Sequence, residues 1–168
     1  MIPVVVDLGC GDRKTRDSIG VDSVKLPGVD VIHDLNKTPY PFKTGGVDRV
    51  MMLNIIEHLD DPIKALEEVY RILKPGGICH IETVYWNYKH AWSDPQHKHA
   101  FTEHSWEFYT GRRKSYYMEY AYELVSFEWQ YDYRLKFLPK TLKRFLGIFL
   151  CNVIAGMVVE LRKPGEEP

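Results

Sequence analysis

The sequence predicts an α/β fold built on a seven-stranded, mostly parallel sheet that finishes in an antiparallel edge strand. Three observations carry this. Apolar runs of strand length alternate with turn and helix patterns through the first half, as expected of a parallel sheet with crossovers. The first run, Val4-Val5-Val6-Asp7-Leu8, stops at a glycine turn, Gly9-Cys10-Gly11. Two late strand-like runs, Glu123–Tyr131 and Gly156–Arg162, close the chain and read as antiparallel at the sheet edge.

The elements follow in order. Pro3–Leu8, Ser18–Asp22, Asp30–His33, Val47–Leu53 and Gly77–Val84 read as buried strands. Between the last two lies the clearest helix. Asp61 can cap it, Pro62 suits its first turn, and Ile63, Leu66, Val69, Tyr70 and Leu73 recur at helical spacing before Lys74-Pro75-Gly76-Gly77 ends it. Residues 85–120 then lose strand regularity and become rich in aromatics and histidine, with a short helix expected near Glu103–Tyr109. They read as an insertion over the sheet. Alternation returns in Glu123–Tyr131, a helical segment runs near Lys140–Leu150, and Gly156–Arg162 closes the sheet. The expected organisation is one domain over residues 1–168, with a flexible tail at 163–168.

At 168 residues and 45% hydrophobic content, such a chain buries roughly two-thirds of its unfolded surface, enough for one core. Twenty-two basic residues against 23 acidic ones leave no general electrostatic footprint for nucleic acid. Cys10, Cys79 and Cys151 are odd in number and far apart, so they read as reduced thiols of a cytoplasmic protein. The longest apolar stretch, Phe145 to Val159, falls short of the ~20 residues that span a bilayer, and no transmembrane segment is expected.

Chemistry enters at the strand ends. The turn Asp7-Leu8-Gly9-Cys10-Gly11 sits where an open α/β sheet binds ligands, and its glycines let the backbone approach one closely. A dinucleotide fingerprint wants a third glycine where Lys14 stands, and Asp7 would repel a pyrophosphate. S-adenosylmethionine, which carries an ammonium and a sulfonium, suits an acidic strand end. Asp22 can accept both ribose hydroxyl protons, Asp34 can accept from an adenine amino group while Leu35 covers the ring, and Asn54 can line the nucleoside from the other side. Taken singly, each aspartate is better explained as a cap or turn residue.

Taken jointly, Asp7-x-Gly-x-Gly, Asp22, Asp34-Leu35, Asn54 with Glu57-His58-Leu59, and Leu73-Lys74-Pro75-Gly76-Gly77 resemble the class I, Rossmann-like methyltransferases over residues 2–84. The resemblance implies S-adenosyl-L-methionine as methyl donor, bound by Asp7, Gly9, Gly11, Asp22, Asp34, Leu35 and Asn54. Gly28-Val29-Asp30-Val31-Ile32-His33-Asp34-Leu35-Asn36 and Asp94-Pro95-Gln96-His97-Lys98-His99-Ala100-Phe101-Thr102 are similar to a subgroup of short methyltransferases with a DPxH-type insertion, some linked to glycan or polyketide modification. Two departures stand out. The span from Asp12 to Gly20 is too short for a full crossover helix, and no helices precede the first strand. Both predict an open cofactor site, one that a partner subunit or a second copy would cover.

The insertion supplies the acid–base candidates, with His97 leading and His58 and Asp94 beside it. A histidine there could take a hydroxyl proton as oxygen attacks the methyl carbon. The bland alternatives are a backbone-bonding His58 and a turn-initiating Asp94-Pro95. His90, Asp94, His97 and His99 also supply metal-type donors, but their spacing matches no standard zinc motif, and no metal is expected. His80, alternating on its strand, reads as a packed or edge residue. Arg112-Arg113-Lys114, beside Tyr116 and Tyr117, reads as a solvated face. The functional expectation is methyl transfer to oxygen on a small molecule or glycan. The rivals are a non-catalytic S-adenosylmethionine-binding partner subunit and an RNA methyltransferase.

Overall fold

A computed structural model of the chain describes residues 2–165 except Ser115, Tyr117 and Glu119. Of the expected tail, residues 166–168 therefore lie outside the described residues. Seven strands form one sheet in the order β3-β2-β1-β4-β5-β7-β6. They are β1 (Val5–Leu8), β2 (Ile19–Asp22), β3 (Val31–Ile32), β4 (Val47–Leu53), β5 (Leu73–Val84), β6 (Glu123–Tyr131) and β7 (Ile154–Arg162). The first five pair in parallel, as the buried β-branched runs require. The last two pair antiparallel with each other at the sheet edge. It is β7, inside β6, that runs against its neighbours.

β2 and β4 lie on opposite sides of β1, so the strand order reverses there. A crevice outside the carboxyl ends of the strands at such a switch point is the general ligand site of open α/β sheets.

Helix α1 (Pro62–Ile72) begins as its sequence dictates. The Asp61 carboxylate accepts from the backbone N–H groups of Ile63 and Lys64, both at 3.1 Å, and Pro62 fills the first turn. Its apolar stripe of Ala65, Leu66, Val69 and Ile72 is buried. The helix ends one residue before Leu73, which pairs with Val47 as the start of β5. Lys74-Pro75-Gly76-Gly77 thus lies inside a strand rather than in a turn after the helix. Extended φ/ψ suits Pro75 and the residue before it, and Gly76 absorbs the irregularity with φ +79°.

No helix occurs among residues 9–18 or 23–30, so β1, β2 and β3 are joined by turns alone. The insertion covers the sheet and α1 instead. It is tied at its base by the pairing of Tyr85 with Phe101, and Trp106, in the short helix α2 (Ser105–Tyr109), stacks on Phe101 at 5.5 Å. Farther on, the Tyr122 hydroxyl donates to the Leu66 carbonyl at 2.7 Å. Tyr85, Tyr88, Trp106 and Tyr109 are buried, whereas Trp86, Trp92 and Phe108 stay exposed.

Between β6 and the last helix, α3 (Lys140–Phe149), Asp132 is 2% exposed. Its carboxylate accepts from the Arg134 backbone and guanidinium and from the Tyr88 hydroxyl. The Arg134 guanidinium foremost, with help from Tyr88, holds its carboxyl well below the usual carboxylate range. A depressed folded-state value means that this stabilisation is present above the unfolded carboxylate range and is lost as pH falls through the folded value. Asp132→Ala is expected to destabilise the fold by about 2–3 kcal/mol at neutral pH, because it orphans the Tyr88 hydroxyl and the Arg134 backbone amide. Denaturant melts of both proteins should converge as the pH is lowered into and below the acidic carboxylate range.

Candidate active site

The glycine turn after β1 is built for close approach. Gly9 has φ +72° and Gly11 φ +52°, in the left-handed region that glycine adopts without strain. A Cβ on Gly9 would stand 2.4 Å from Ile55 Cγ1. Gly9→Ala is therefore expected to cost about 1–3 kcal/mol of stability and to narrow the cleft beside it. Adding Ile55→Ala should restore the space but not the backbone strain, which paired melting and cofactor titrations separate.

Asp22 closes the turn. Its Oδ2 accepts from the Gly11 amide at 2.9 Å and its Oδ1 from the Val24 amide at 3.0 Å. Asp7 is 1% exposed. Its Oδ2 accepts from the Thr15 amide at 2.7 Å, and among the described residues its Oδ1 has no hydrogen-bond partner. A buried carboxylate oxygen left unmatched is costly unless a donor completes it.

Gly9, Asp22, Leu35, Ile55 and His58 line a cleft of about 170 Å³. That is smaller than the roughly 300–1,000 Å³ of most small-molecule sites, so a ligand held here must extend beyond it. Across His58 stands a polar chamber of about 460 Å³, lined among others by Asn54, Glu57, His58, Thr83, His90, Asp94, His97 and Gln130. His58 belongs to both walls.

The sequence-derived residues divide between these spaces. Gly9, Asp22 and Leu35 line the cleft, with Gly11 and Asp7 supporting it. Asn54 has φ +52°, donates from its backbone to the Glu82 carbonyl at 2.8 Å, and faces the chamber rather than the cleft. Asp34 lines neither. Its Oδ1 accepts from the Asn36 amide at 3.0 Å and its Oδ2 lies 3.5 Å from the Lys37 ammonium, and the Asn36 amide foremost holds its carboxyl below the usual range. His58, Asp94 and His97 come together in the chamber. His99 turns the other way, into a cavity of about 640 Å³ beside the start of α1. His80 sits on β5 between Glu82 and Glu160. Arg113 lies over the Phe108 ring.

The insertion reaches the chamber through its backbone. The amides of Lys98 and His99 donate to the Glu57 carbonyl at 2.8 and 3.3 Å. That contact brings His97 edge-on to His58, with ring centroids 4.6 Å apart. The His97 side chain is only 10% exposed. Its Nδ1 lies 2.9 Å from the Ala91 carbonyl, an acceptor only, so Nδ1 carries the proton and Nε2 is the nitrogen that presents a lone pair whenever the ring is neutral. The nearer Asp94 oxygen stands 4.0 Å from that Nε2.

Glu57 is the functional candidate absent from the sequence-derived site residues. It is 1% exposed, its carboxylate accepts from the Thr83 hydroxyl at 3.0 Å, and it lines the chamber. The available signal was its place in Glu57-His58-Leu59, directly before a candidate base.

Comparison with known proteins agrees with this architecture. A family model described as a methyltransferase domain matches residues 19–81. A probable S-adenosylmethionine-dependent methyltransferase of Mycolicibacterium smegmatis is 30% identical over 96 residues, covering 47% of this chain and 37% of that protein. The match thus spans little more than a third of that relative. Among solved structures, an S-adenosylmethionine-dependent methyltransferase from Archaeoglobus fulgidus superposes with a TM-score of 0.68 at 18% identity, over 96% of this chain and 86% of that one. A chain from the Haloferax volcanii complex between the Trm112 methyltransferase activator and a methyltransferase gives 0.64 at 18% identity, over 96% and 83%. Among the described residues, no helix is long and apolar enough to cross a membrane. The sheet order and these matches agree: the chain has the Rossmann-like fold of S-adenosylmethionine-dependent methyltransferases, and its residues 19–81 match a methyltransferase domain.

Proposed function

We propose that this chain transfers a methyl group from S-adenosyl-L-methionine to an oxygen of a small molecule or glycan. The observation that carries the proposal is the place of His58, which lines both the cleft built on Gly9 and Asp22 and a polar, histidine-lined chamber. The cofactor supplies an electrophilic methyl on a sulfonium. The residues present fit it: Gly9 leaves no Cβ in the cleft, Asp22 faces the cleft beside the turn amides, Leu35 supplies an apolar wall, and Asp7 Oδ1 is an unmatched acceptor.

Asp22 orients the ribose, while the chamber holds the acceptor in line with the methyl carbon. Positioning contributes most of the acceleration in such a displacement. The oxygen forms its bond to carbon as the carbon–sulfur bond breaks, with that bond's electron pair passing to sulfur. The acceptor proton passes to the group formed by His97, His58 and Asp94, on which His97 has the leading part. Its Nε2 lone pair and its low exposure suit that part.

Titration with S-adenosylhomocysteine and a labelled-methyl assay over hydroxyl-bearing acceptors test the reading. One cofactor site and label on oxygen are expected, and a chain that binds no S-adenosylhomocysteine would contradict it. The small cleft volume also favours a covering partner, either a second copy or an activator of the kind bound to the Haloferax volcanii relative. Tighter cofactor binding at higher chain concentration or on adding a partner is the expected sign.

A further inference from the structure

We propose that Glu57, His58 and His97 form a binding site for one divalent transition-metal ion on the acceptor side of the cofactor cleft. The three residues each bring a donor atom within 4.8 Å of the others. Two imidazoles and a carboxylate, with the remaining positions open to a chamber, are the donor set of catalytic sites for zinc and its first-row neighbours.

Two further observations point to a cation. The first is charge. The Glu57 carboxylate is 1% exposed, and among the described residues no lysine or arginine forms an ion pair with it. The one recorded side-chain partner is the neutral Thr83 hydroxyl. A buried carboxylate without a compensating charge is costly, and a divalent ion between it and the imidazoles removes that cost. The second is orientation. His97 is held through Nδ1 by the Ala91 carbonyl at 2.9 Å, and Glu57 is held through Oε2 by Thr83 at 3.0 Å. Such outer contacts fix the tautomer and aim the ligand atoms of metal sites. Among the described residues the His58 side chain makes no hydrogen bond that would hold it back from an ion between the three donors.

The proposal deepens the methyl-transfer reading and rests on it for the ion's role. The acceptor hydroxyl occupies an open coordination position, where the ion lowers the pKa of a bound O–H. Its proton then leaves to Asp94, the remaining member of the proton-accepting group, whose carboxylate stands 4.0 Å from His97 Nε2. The imidazoles act as ligands in that form, and the methyl carbon still receives the oxygen's electron pair.

The test uses the full chain freed of metal by chelation. Calorimetric titration with Zn²⁺ should give one site per chain, and Co²⁺ should give the visible absorption bands of a low-coordinate complex. Glu57→Gln and His97→Gln should abolish the Co²⁺ bands, while Thr83→Val should weaken binding by about 10–100-fold as an outer-contact loss. Thermal melts verify that each variant folds, and His99→Gln serves as the control that should leave the bands unchanged. Bands absent in the parent chain, or persisting in Glu57→Gln and His97→Gln, would overturn the proposal. S-adenosylhomocysteine titration of the same metal-free samples reads the cofactor site separately, so loss of one reading is distinguishable from loss of the other.

Discussion

His97→Ala is expected to lower the rate of methyl transfer by about 10²–10⁴-fold, the range a positioned proton-accepting group supplies, while leaving cofactor affinity within a factor of about two. The asymmetry follows from where the side chain sits. His97 lines the polar chamber and not the cleft that holds Gly9 and Asp22, so on the proposed reading it meets the acceptor and leaves the nucleoside untouched. The loss should fall on kcat. An interaction made only as the proton departs lowers kcat and kcat/KM together, whereas a lost acceptor contact raises KM alone. His97→Gln retains a hydrogen-bonding side chain of similar reach without an imidazole. If it restores the rate, the group positions the acceptor and takes no part in proton removal or ion binding. His99→Ala, two residues along but facing the other cavity, should retain the parent rate.

The second large effect is at Asp22. Asp22→Ala should weaken S-adenosylhomocysteine binding by about 10²–10⁴-fold, because a carboxylate accepting two hydroxyl protons contributes roughly 1.5–3 kcal/mol for each charged hydrogen bond. Part of that loss would come from the turn itself, since Asp22 also accepts from the Gly11 and Val24 amides. Asp22→Asn separates the parts. One amide oxygen keeps an acceptor for the turn, while the NH₂ group cannot accept from ribose. Its affinity should therefore stay low although its melting temperature approaches that of the parent. Calorimetry with S-adenosylhomocysteine, run beside thermal melts of the three proteins, reads both quantities. Parent-like affinity in Asp22→Ala would remove Asp22 from the cofactor site.

Local signals made most of the sheet legible. Val47–Leu53 and Glu123–Tyr131 have the strand bounds that their apolar runs and alternation mark, and Asp61-Pro62 marks the start of α1. β5 was harder to read because Pro75, Gly76 and Gly77 punctuate a sequence locally, yet Leu73 is drawn into the sheet by pairing with Val47, a contact between distant residues. Propensity yields there to tertiary context.

The site follows the same division. Gly9 and Asp22 are legible because a strand end fixes where they point. Asn54 lines the chamber rather than the cleft, on a left-handed backbone that a side-chain reading does not contain. Asp34 has the right place in the sequence but spends its carboxylate on a local turn, the competing role that aspartate offers at any loop. Glu57 carries only a weak signal, its place in Glu57-His58-Leu59, for a different reason. Its significance arises from Thr83, 26 residues away, and from an insertion that binds its carbonyl at Lys98 and His99.

The central claim is that one continuous site runs from Gly9 and Asp22 through His58 to His97, with the methyl donor at one end and the acceptor at the other. A crystal structure with S-adenosylhomocysteine tests it most directly. The account predicts the ribose hydroxyls on the Asp22 carboxylate, the base against Leu35, and the sulfur opening toward the chamber bordered by Asn54, His58 and His97. S-adenosylhomocysteine bound away from the glycine turn, or with its sulfur facing away from that chamber, would contradict it.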